Sequence, residues 1–231
     1  MLELSPQELG ILALSLRVAV ASVVCSLPFA VLVAHCLARS SFPGKTLFDA
    51  IIHLPLVLPP VVVGFALLVL FGKHGPIGSL LDRWFGIVVA FRWTGAALAS
   101  AIMGFPLMVR AIRLSIEAID QRLEVAARTL GASKAWVFTS ITLPLALPGI
   151  ITGTLLSFAR GLGEFGATIT FVSNIPGETQ TMSAAIYTLT QVPGGDAAAG
   201  RLVLVAIALA FAALIAADWL GRRASIRVHG D

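Results

Sequence analysis

Charged residues are scarce in this chain of 231 residues: Asp, Glu, Lys and Arg together make up 12% of it, and hydrophobic residues make up 58%. Soluble domains carry about twice that charged fraction. A chain of this length cannot enclose so much apolar surface inside a water-soluble globule. The composition therefore excludes a soluble enzyme, a disordered chain and a disulfide-stapled secreted domain, and it indicates an integral membrane protein.

Residues for redox, metal and nucleic-acid chemistry are also few. The two cysteines, Cys25 and Cys36, lie too far apart along one apolar stretch for a disulfide, and we expect both to be buried apolar residues without a redox role. The four histidines form no metal-binding spacing, and no basic run offers a nucleic-acid surface. We therefore expect no metal site, no catalytic residue and no cofactor bound by this chain.

Five apolar stretches are candidates to cross a bilayer, which needs about 20 residues of helix, and the shortest of them are expected to extend into their flanks. They predict an all-α integral membrane protein of about five transmembrane helices in a domain over residues 10–220, followed by a short tail, 221–231. The acidic N-terminus differs from a signal peptide, so the first stretch is expected to be retained. The stretches are residues 10–37, 54–71, 94–109, 143–158 and 202–219.

The loops between these stretches alternate in charge. Loops 38–53 and 110–142 and the tail together carry about twice as many Lys and Arg residues as the opposite side, and such residues accumulate in the cytoplasm. The bias predicts an external N-terminus and a cytoplasmic C-terminus. Arg17, early in the first stretch, is expected to extend its guanidinium to the outer interface.

Two features leave alternatives open. Prolines recur within or beside the spans, and they indicate either kinks around a cavity or breaks repaired by neighbouring helices. Segment 160–200 is rich in glycine and proline, and it is either an external loop or a re-entrant element over a pathway, with a short helix expected near 183–189.

Loop 120–144 is the most informative segment. Asp120 is a plausible N-cap, and Gly131 fits a left-handed helix C-cap. An apolar stripe of Leu123, Ala126, Ala127 and Leu130 lies between them at helical spacing. Ser133 is expected to cap a second short helix, so the loop forms either a knob that a partner groove can approach or an amphipathic helix lying on the membrane. Glu124 and Arg128 have the spacing of an exposed ion pair.

The loop resembles the EAA loop of bacterial ABC importer permeases, whose signature is E-A-A, three residues, G, nine residues and I-x-L-P. Val125 departs from it at the first alanine. In such permeases this loop is the coupling helix that docks into a groove on the ATP-hydrolysing subunit. The resemblance assigns this role to six residues: Glu124, Ala126, Ala127, Gly131, Leu143 and Pro144.

The wider chain, from about residue 14 to 219, is similar to molybdate ABC transporter permeases, with sulfate permeases as the nearest confusable relatives. The resemblance implies a type I permease fold and an inner-membrane homodimer with two ATPase subunits and a periplasmic molybdate-binding protein. ATP and Mg would be bound by the ATPase, since this chain lacks a phosphate-binding G-x-x-x-x-G-K-[ST] motif. The resemblance is carried by 41–45, 53–64, 123–131, 159–170 and 174–177.

Residues beyond the fourth stretch are candidates for a translocation pathway or its gate. Arg160 and Glu164 are spaced to form an ion pair that satisfies two charges that would be costly alone in lipid; the alternative is that this segment donates hydrogen bonds to a passing oxyanion. We expect a gate without a tight substrate site. The candidates are Arg160, Gly163, Glu164, Gly166, Thr168, Thr170 and Asn174.

Three classes of function are thus compared. An ATP-driven permease for the oxyanion molybdate, with tungstate as a second substrate, is favoured over a sulfate or thiosulfate importer. An ATP-independent channel or secondary transporter is weakened by the small number of charges within the spans. An intramembrane enzyme ranks last, because no Ser/His, paired-Asp or zinc constellation lies in the spans.

Gly149 and Gly153 form a G-x-x-x-G pattern that is weak support for a dimer face.

Overall fold

Regular structure is helical throughout the part of the chain described by the computed structural model, residues 4–229, with side chains described to 224. The all-α prediction is therefore confirmed. The helices are α1 Pro6–Arg39, α2 Lys45–Val57, α3 Pro60–Phe71, α4 Pro76–Phe85, α5 Trp93–Glu117, α6 Gln121–Thr129, α7 Lys134–Val137, a π-helical turn Phe138–Thr142, α8 Leu143–Leu145, α9 Leu147–Leu162, α10 Gly166–Val172, α11 Met182–Thr190 and α12 Asp196–His229.

Helices α1, α5 and α9 form the centre of the bundle, and α12 packs on α9. Small residues allow this close packing. A Cβ atom added at Gly153 would lie 3.0 Å from the Met108 carbonyl oxygen, and one at Gly149 would collide with Ser115. The G-x-x-x-G pattern of α9 therefore faces α5 of the same chain, and the expectation that it supports a dimer face is wrong.

Within residues 4–229, three helices are individually long and apolar enough to cross a membrane: α1, α5 and α12. The other two expected spans are bent. Helices α2 and α3 meet at 112°, and the run Lys134–Leu145 meets α9 at 67°. The predictions of continuous spans over 54–71 and 143–158 are corrected accordingly.

Prolines explain both bends. Leu58, which precedes Pro59, has extended backbone angles (φ −71°, ψ 142°), as the bulk of a following proline ring demands. Pro60 then begins α3, where its missing N–H costs little. Pro148 likewise lies in the first turn of α9. The kink interpretation of the recurring prolines therefore applies at these two points.

Segment 160–200 contains two short helices. α10 packs against α3 and α5, and its Phe171 and Val172 are fully buried. Burial of a short broken helix inside the bundle favours the re-entrant alternative over an external loop. The expected helix near 183–189 is α11.

Two long-range contacts define the two ends of the bundle. Arg39 at the last residue of α1 contacts Glu124 of α6, and this end is called the loop end. Glu8 in the first turn of α1 pairs with Arg201 of α12 at 2.8 Å, and this opposite end is called the far end. Gly221, late in α12, lies beside Thr152 near the start of α9, so α12 runs from the far end to the loop end.

The expected burial of both cysteines is wrong. Cys25 is exposed and Cys36 is half-buried, because both lie on the outer side of α1. Val24 and Phe29 on the same side are 63% and 65% exposed. A surface of this kind is suited to contact with lipid rather than with water.

Candidate functional site

Local signals shape the coupling loop, residues 120–144, as the sequence predicts. The Asp120 side chain accepts a hydrogen bond from the Arg122 N–H at 2.9 Å. At the other end of α6, Gly131 has φ +90°, and the N–H groups of Gly131 and Ala132 donate to the carbonyls of Arg128 and Ala127. This is a Schellman cap, which requires the left-handed conformation that glycine adopts most easily.

A second short helix follows this cap directly. The Ser133 hydroxyl accepts a hydrogen bond from the Trp136 N–H at 3.2 Å and begins α7. The predicted caps at Asp120, Gly131 and Ser133 are confirmed, and the loop is a helix–turn–helix knob.

Glu124 is buried beneath this knob. Its Oε1 accepts hydrogen bonds from Arg39 Nε at 3.1 Å and from the Thr142 hydroxyl at 2.8 Å, and the residue is 4% exposed. Arg39 also donates to the Ile119 carbonyl at 3.2 Å. The expected exposed pair between Glu124 and Arg128 is wrong: Glu124 ties α6 to the end of α1 and to the base of the loop.

The π-helical turn Phe138–Thr142 places Thr142 for this contact. Here the Leu143 N–H reaches back to the Phe138 carbonyl, one residue further than in an α-helix. Pro144 follows at once, and a proline ring in a regular helix crowds the carbonyl four residues earlier. The wider turn thus lies just before Pro144, where a regular helix would be crowded by the proline ring.

The outward surface of the loop is apolar. Leu123 is 51% and Leu130 is 89% exposed, Trp136 of α7 is 53% exposed, and the small Ala126 is exposed between them. Ala127, on the same stripe, is half-buried. Exposed leucines at the end of a bundle indicate a contact surface.

Of the remaining predicted coupling residues, Leu143 is half-buried and Pro144 is exposed at the base of the loop. Arg39 and Thr142 belong to the arrangement but were missed as site residues. The only available signal for Arg39 was a cation ending the first span, and Thr142 occupies the unspecified position of I-x-L-P.

The second group of candidates, the pathway segment, comprises residues 160–174. Arg160 Nη1 lies 2.8 Å from Glu164 Oε2, as the spacing predicts. The Glu164 side chain is 1% exposed and its Oε1 accepts a hydrogen bond from the Ala167 N–H at 2.9 Å, in the first turn of α10. Arg160 is 30% exposed. The structure thus brings these two residues together as an ion pair, and Glu164 also accepts a backbone hydrogen bond from the first turn of α10.

The hydroxyls of this segment are largely occupied within their own helix. Thr168 donates to the Phe165 carbonyl at 2.9 Å, and Thr170 donates to the Gly166 carbonyl at 2.9 Å. A Cβ atom on Gly166 would lie 2.7 Å from Pro60 Cβ, so this glycine serves close packing of α10 on α3. Gly163 is exposed and ends α9.

The chain leaves α10 through a strained turn. Ser173 has φ 65° and ψ −162°, a region that residues with side chains rarely adopt. The next residue, Asn174, donates to the Thr188 hydroxyl at 2.7 Å, and its Oδ1 is buried without a partner among the described residues. Backbone strain next to an unsatisfied polar atom is typical of functional segments.

No group of three His, Cys, Asp or Glu side chains suited to a metal ion occurs within residues 4–229. The two groups of candidate residues lie apart in the bundle: the coupling loop is at the loop end, and the pathway segment follows α9 towards the far end. The arrangement is therefore that of a contact knob at one end and a buried polar segment deeper in the bundle.

Comparison with known proteins decides the family. Residues 26–226 match the family described as the inner membrane component of binding-protein-dependent transport systems. The chain belongs to this family. An inner membrane component agrees with the apolar composition of the chain.

Individual relatives and solved structures support the same family. This permease is 59% identical to a molybdenum transport system permease protein of Escherichia coli over 219 residues, which cover 95% of this chain and 96% of that protein. It is 35% identical to a sulfate transport system permease protein of Salmonella typhimurium, over 95% of this chain and 80% of the other. Its fold matches a bacterial ABC transporter for alginate with a TM-score of 0.73, at 19% identity over 95% of this chain and 80% of that one. The type I ABC permease fold is thus confirmed.

Proposed function

We propose that this chain is the membrane permease subunit of an ATP-driven importer of molybdate. One observation carries the substrate: the 59% identity to a molybdenum permease extends over nearly the whole of both chains. The more distant sulfate relative supports the same chemical class, because sulfate and molybdate are both tetrahedral dianions. Tungstate, which has the same shape and charge, belongs to the proposed range.

The complex that we propose contains two copies of this chain, two ATPase subunits and a periplasmic molybdate-binding protein in a bacterial inner membrane. ATP and Mg would be bound by the ATPase. The fold match to importers supports this composition, and one of the matched structures holds a periplasmic protein bound to its ligand. This chain is proposed to supply the path and not the hydrolysis.

The coupling loop is proposed to dock on the ATPase. Its exposed apolar surface of Leu123, Ala126 and Leu130 supports this role, since the two leucines offer apolar contact area and the small Ala126 between them lets a partner groove approach the helix closely. Ala127 lies at the edge of that surface. Glu124, Gly131, Leu143 and Pro144 are proposed to shape and anchor the knob rather than to touch the partner.

This docking also gives an orientation. A cytoplasmic coupling loop places the loop end, with the C-terminal part of α12, in the cytoplasm and the N-terminal turn of α1 outside. The charge bias of the loops supports the same assignment. The pathway segment then lies between the two sides, and we propose that it forms part of a gate, with the Arg160–Glu164 pair as its structural core.

The test is uptake of labelled molybdate at nanomolar concentration in a strain that lacks this chain and in the same strain complemented with it. We expect uptake to be lost in the strain that lacks the chain, to return on complementation and to be unaffected by excess sulfate. Strong competition by sulfate would move the assignment to a sulfate importer. Uptake from proteoliposomes of the chain alone without ATP would instead indicate a channel or secondary transporter.

A further inference from the structure

Three cations line one cavity at the far end of the bundle. Arg17 of α1, Lys73 after α3 and Arg92 before α5 surround an open space of about 830 Å³. Glu178 is the carboxylate among the lining residues, so the cavity holds three positive charges against one negative. None of these four residues belongs to the coupling loop or to the pathway segment.

Among the residues whose side chains are described, none of the three cations forms an ion pair. Arg17 stacks its guanidinium on the ring of Trp93, 3.8 Å from the ring centroid, which orients the charge while leaving its N–H groups available. The side chains of Arg17, Lys73 and Arg92 are all exposed. In a chain with 12% charged residues, such a group of cations around one space requires an explanation.

The backbone adds to the positive potential. α5 begins at the cavity, its N-cap residue is Arg92, and no side chain caps its first turn. The positive end of a 25-residue helix and its free N–H groups therefore point towards the same space as the cations. Anions bind readily at such an arrangement.

A strained residue, Phe91, lies in the cavity wall next to Arg92. Phe91 has φ +58°, which is uncommon for an aromatic residue, and it immediately precedes Arg92. Strain of this kind persists where the surroundings over-determine the backbone, and it is frequent at ligand-binding segments. Phe91 itself lines the cavity.

We infer that this far-end cavity is a binding site for a tetrahedral oxyanion group. The position of this cavity on the outer side of the membrane rests on the proposed function. At that position the site would raise the local concentration of a dianion released at the outer entrance of the translocation path. Exposed cations in water attract an anion without holding it tightly, which suits a site that must pass its ligand on. A free oxyanion and the phosphate of a lipid headgroup share this chemistry, and the test separates them.

The test uses the purified complex of permease and ATPase in detergent, without a binding protein and without nucleotide. Labelled molybdate is bound at low and at high ionic strength, and phosphatidylglycerol retained by the complex is measured by mass spectrometry. The variant carries Arg17→Gln, Lys73→Gln and Arg92→Gln together. The matched control is Arg83→Gln, which removes one exposed cation of α4 that does not line the cavity.

We expect molybdate to bind the unchanged complex weakly and in a salt-sensitive manner, and to bind the triple variant about tenfold less well, because the removed charges supply the attraction. Arg83→Gln should bind as the unchanged complex does, and Arg17→Lys, which keeps the charge, should retain most of the binding. Loss of phosphatidylglycerol alone in the triple variant would assign the site to a lipid headgroup. Equal molybdate binding and equal lipid retention in all variants would overturn the inference.

The result of this binding test can be distinguished from the result of the uptake test of the proposed function. If deletion of the chain abolishes molybdate uptake while the triple variant binds anions normally, the site is wrong and the importer stands. If uptake does not depend on the chain but the cavity binds molybdate, the site stands and the importer assignment is wrong.

Discussion

Glu124 accepts a hydrogen bond from Arg39 across 85 positions of sequence, and the two side chains are almost completely buried. This contact joins the last residue of α1 to the first turn of α6. The end of α1 and the loop are therefore held together by a buried charged contact.

The first prediction concerns this contact. Glu124→Ala removes an acceptor for the charged Arg39 and for Thr142, and hydrogen bonds to charged groups contribute about 1.5–3 kcal/mol. We expect amide hydrogens of residues 121–130 to exchange about tenfold faster or more. Arg128→Ala is the matched control, because Arg128 occupies the i+4 position and makes no ion pair with Glu124. Equal protection in both variants would contradict the anchoring role.

The second prediction concerns the exposed surface of the knob. Ala126→Trp adds bulk where a closely approaching groove would lie, while its exposure leaves the fold of the chain unchanged. We expect the variant to insert normally and to lose the ATPase subunit on affinity purification. Ala197→Trp places the same bulk on an exposed position of α12 at the far end and should copurify the ATPase at normal yield. Normal ATPase yield with Ala126→Trp would refute docking on this surface.

The third prediction concerns the contact between α3 and α10. A Cβ atom on Gly64 would lie 2.5 Å from the Ala167 carbonyl oxygen, so Gly64→Ala must push the two helices apart. Overpacking of this kind costs about 1–3 kcal/mol. We expect a lower thermal unfolding midpoint of the solubilised protein. Gly10→Ala, where a Cβ atom meets nothing within 4 Å, should leave the midpoint unchanged or raise it. Equal midpoints for Gly64→Ala and the unchanged protein would show that α10 does not pack as described.

Local sequence signals predicted local structure well. Asp120, Gly131 and Ser133 act on atoms within a few residues of themselves, so their capping roles follow from their types and positions. The long apolar helices could likewise be predicted, because hydropathy is a local property of each segment. Glu124 shows the limit: the opposite charge at the helical i+4 spacing is Arg128, but the fold brings Arg39 to Glu124 instead and buries the pair.

The direction of the chain at its breaks could not be predicted either. Pro59, Pro60 and Pro148 indicated that helices end or bend, but a hydropathy sum treats a bent pair and a straight span alike. These prolines do not give the size of the 112° bend between α2 and α3, nor do they predict that α10 packs against α3, which is a contact between distant parts of the chain. For the same reason the glycines of α9 predicted close helix contact but not the partner.

The fourth prediction separates a structural from a transport role of Arg160 and Glu164. Arg160→Gln leaves a buried carboxylate without its cation, which costs about 1–3 kcal/mol, less than for a fully buried pair because Arg160 is 30% exposed. Glu164→Gln keeps the acceptor for the Ala167 N–H and leaves Arg160 unpaired. We expect both single variants to unfold at lower temperature and the double variant to recover most of the loss, since it leaves no unpaired charge. If the pair is structural, the double variant also imports molybdate within about twofold of the normal rate. A double variant that is thermally stable but inactive in uptake would instead place these charges on the path of the anion.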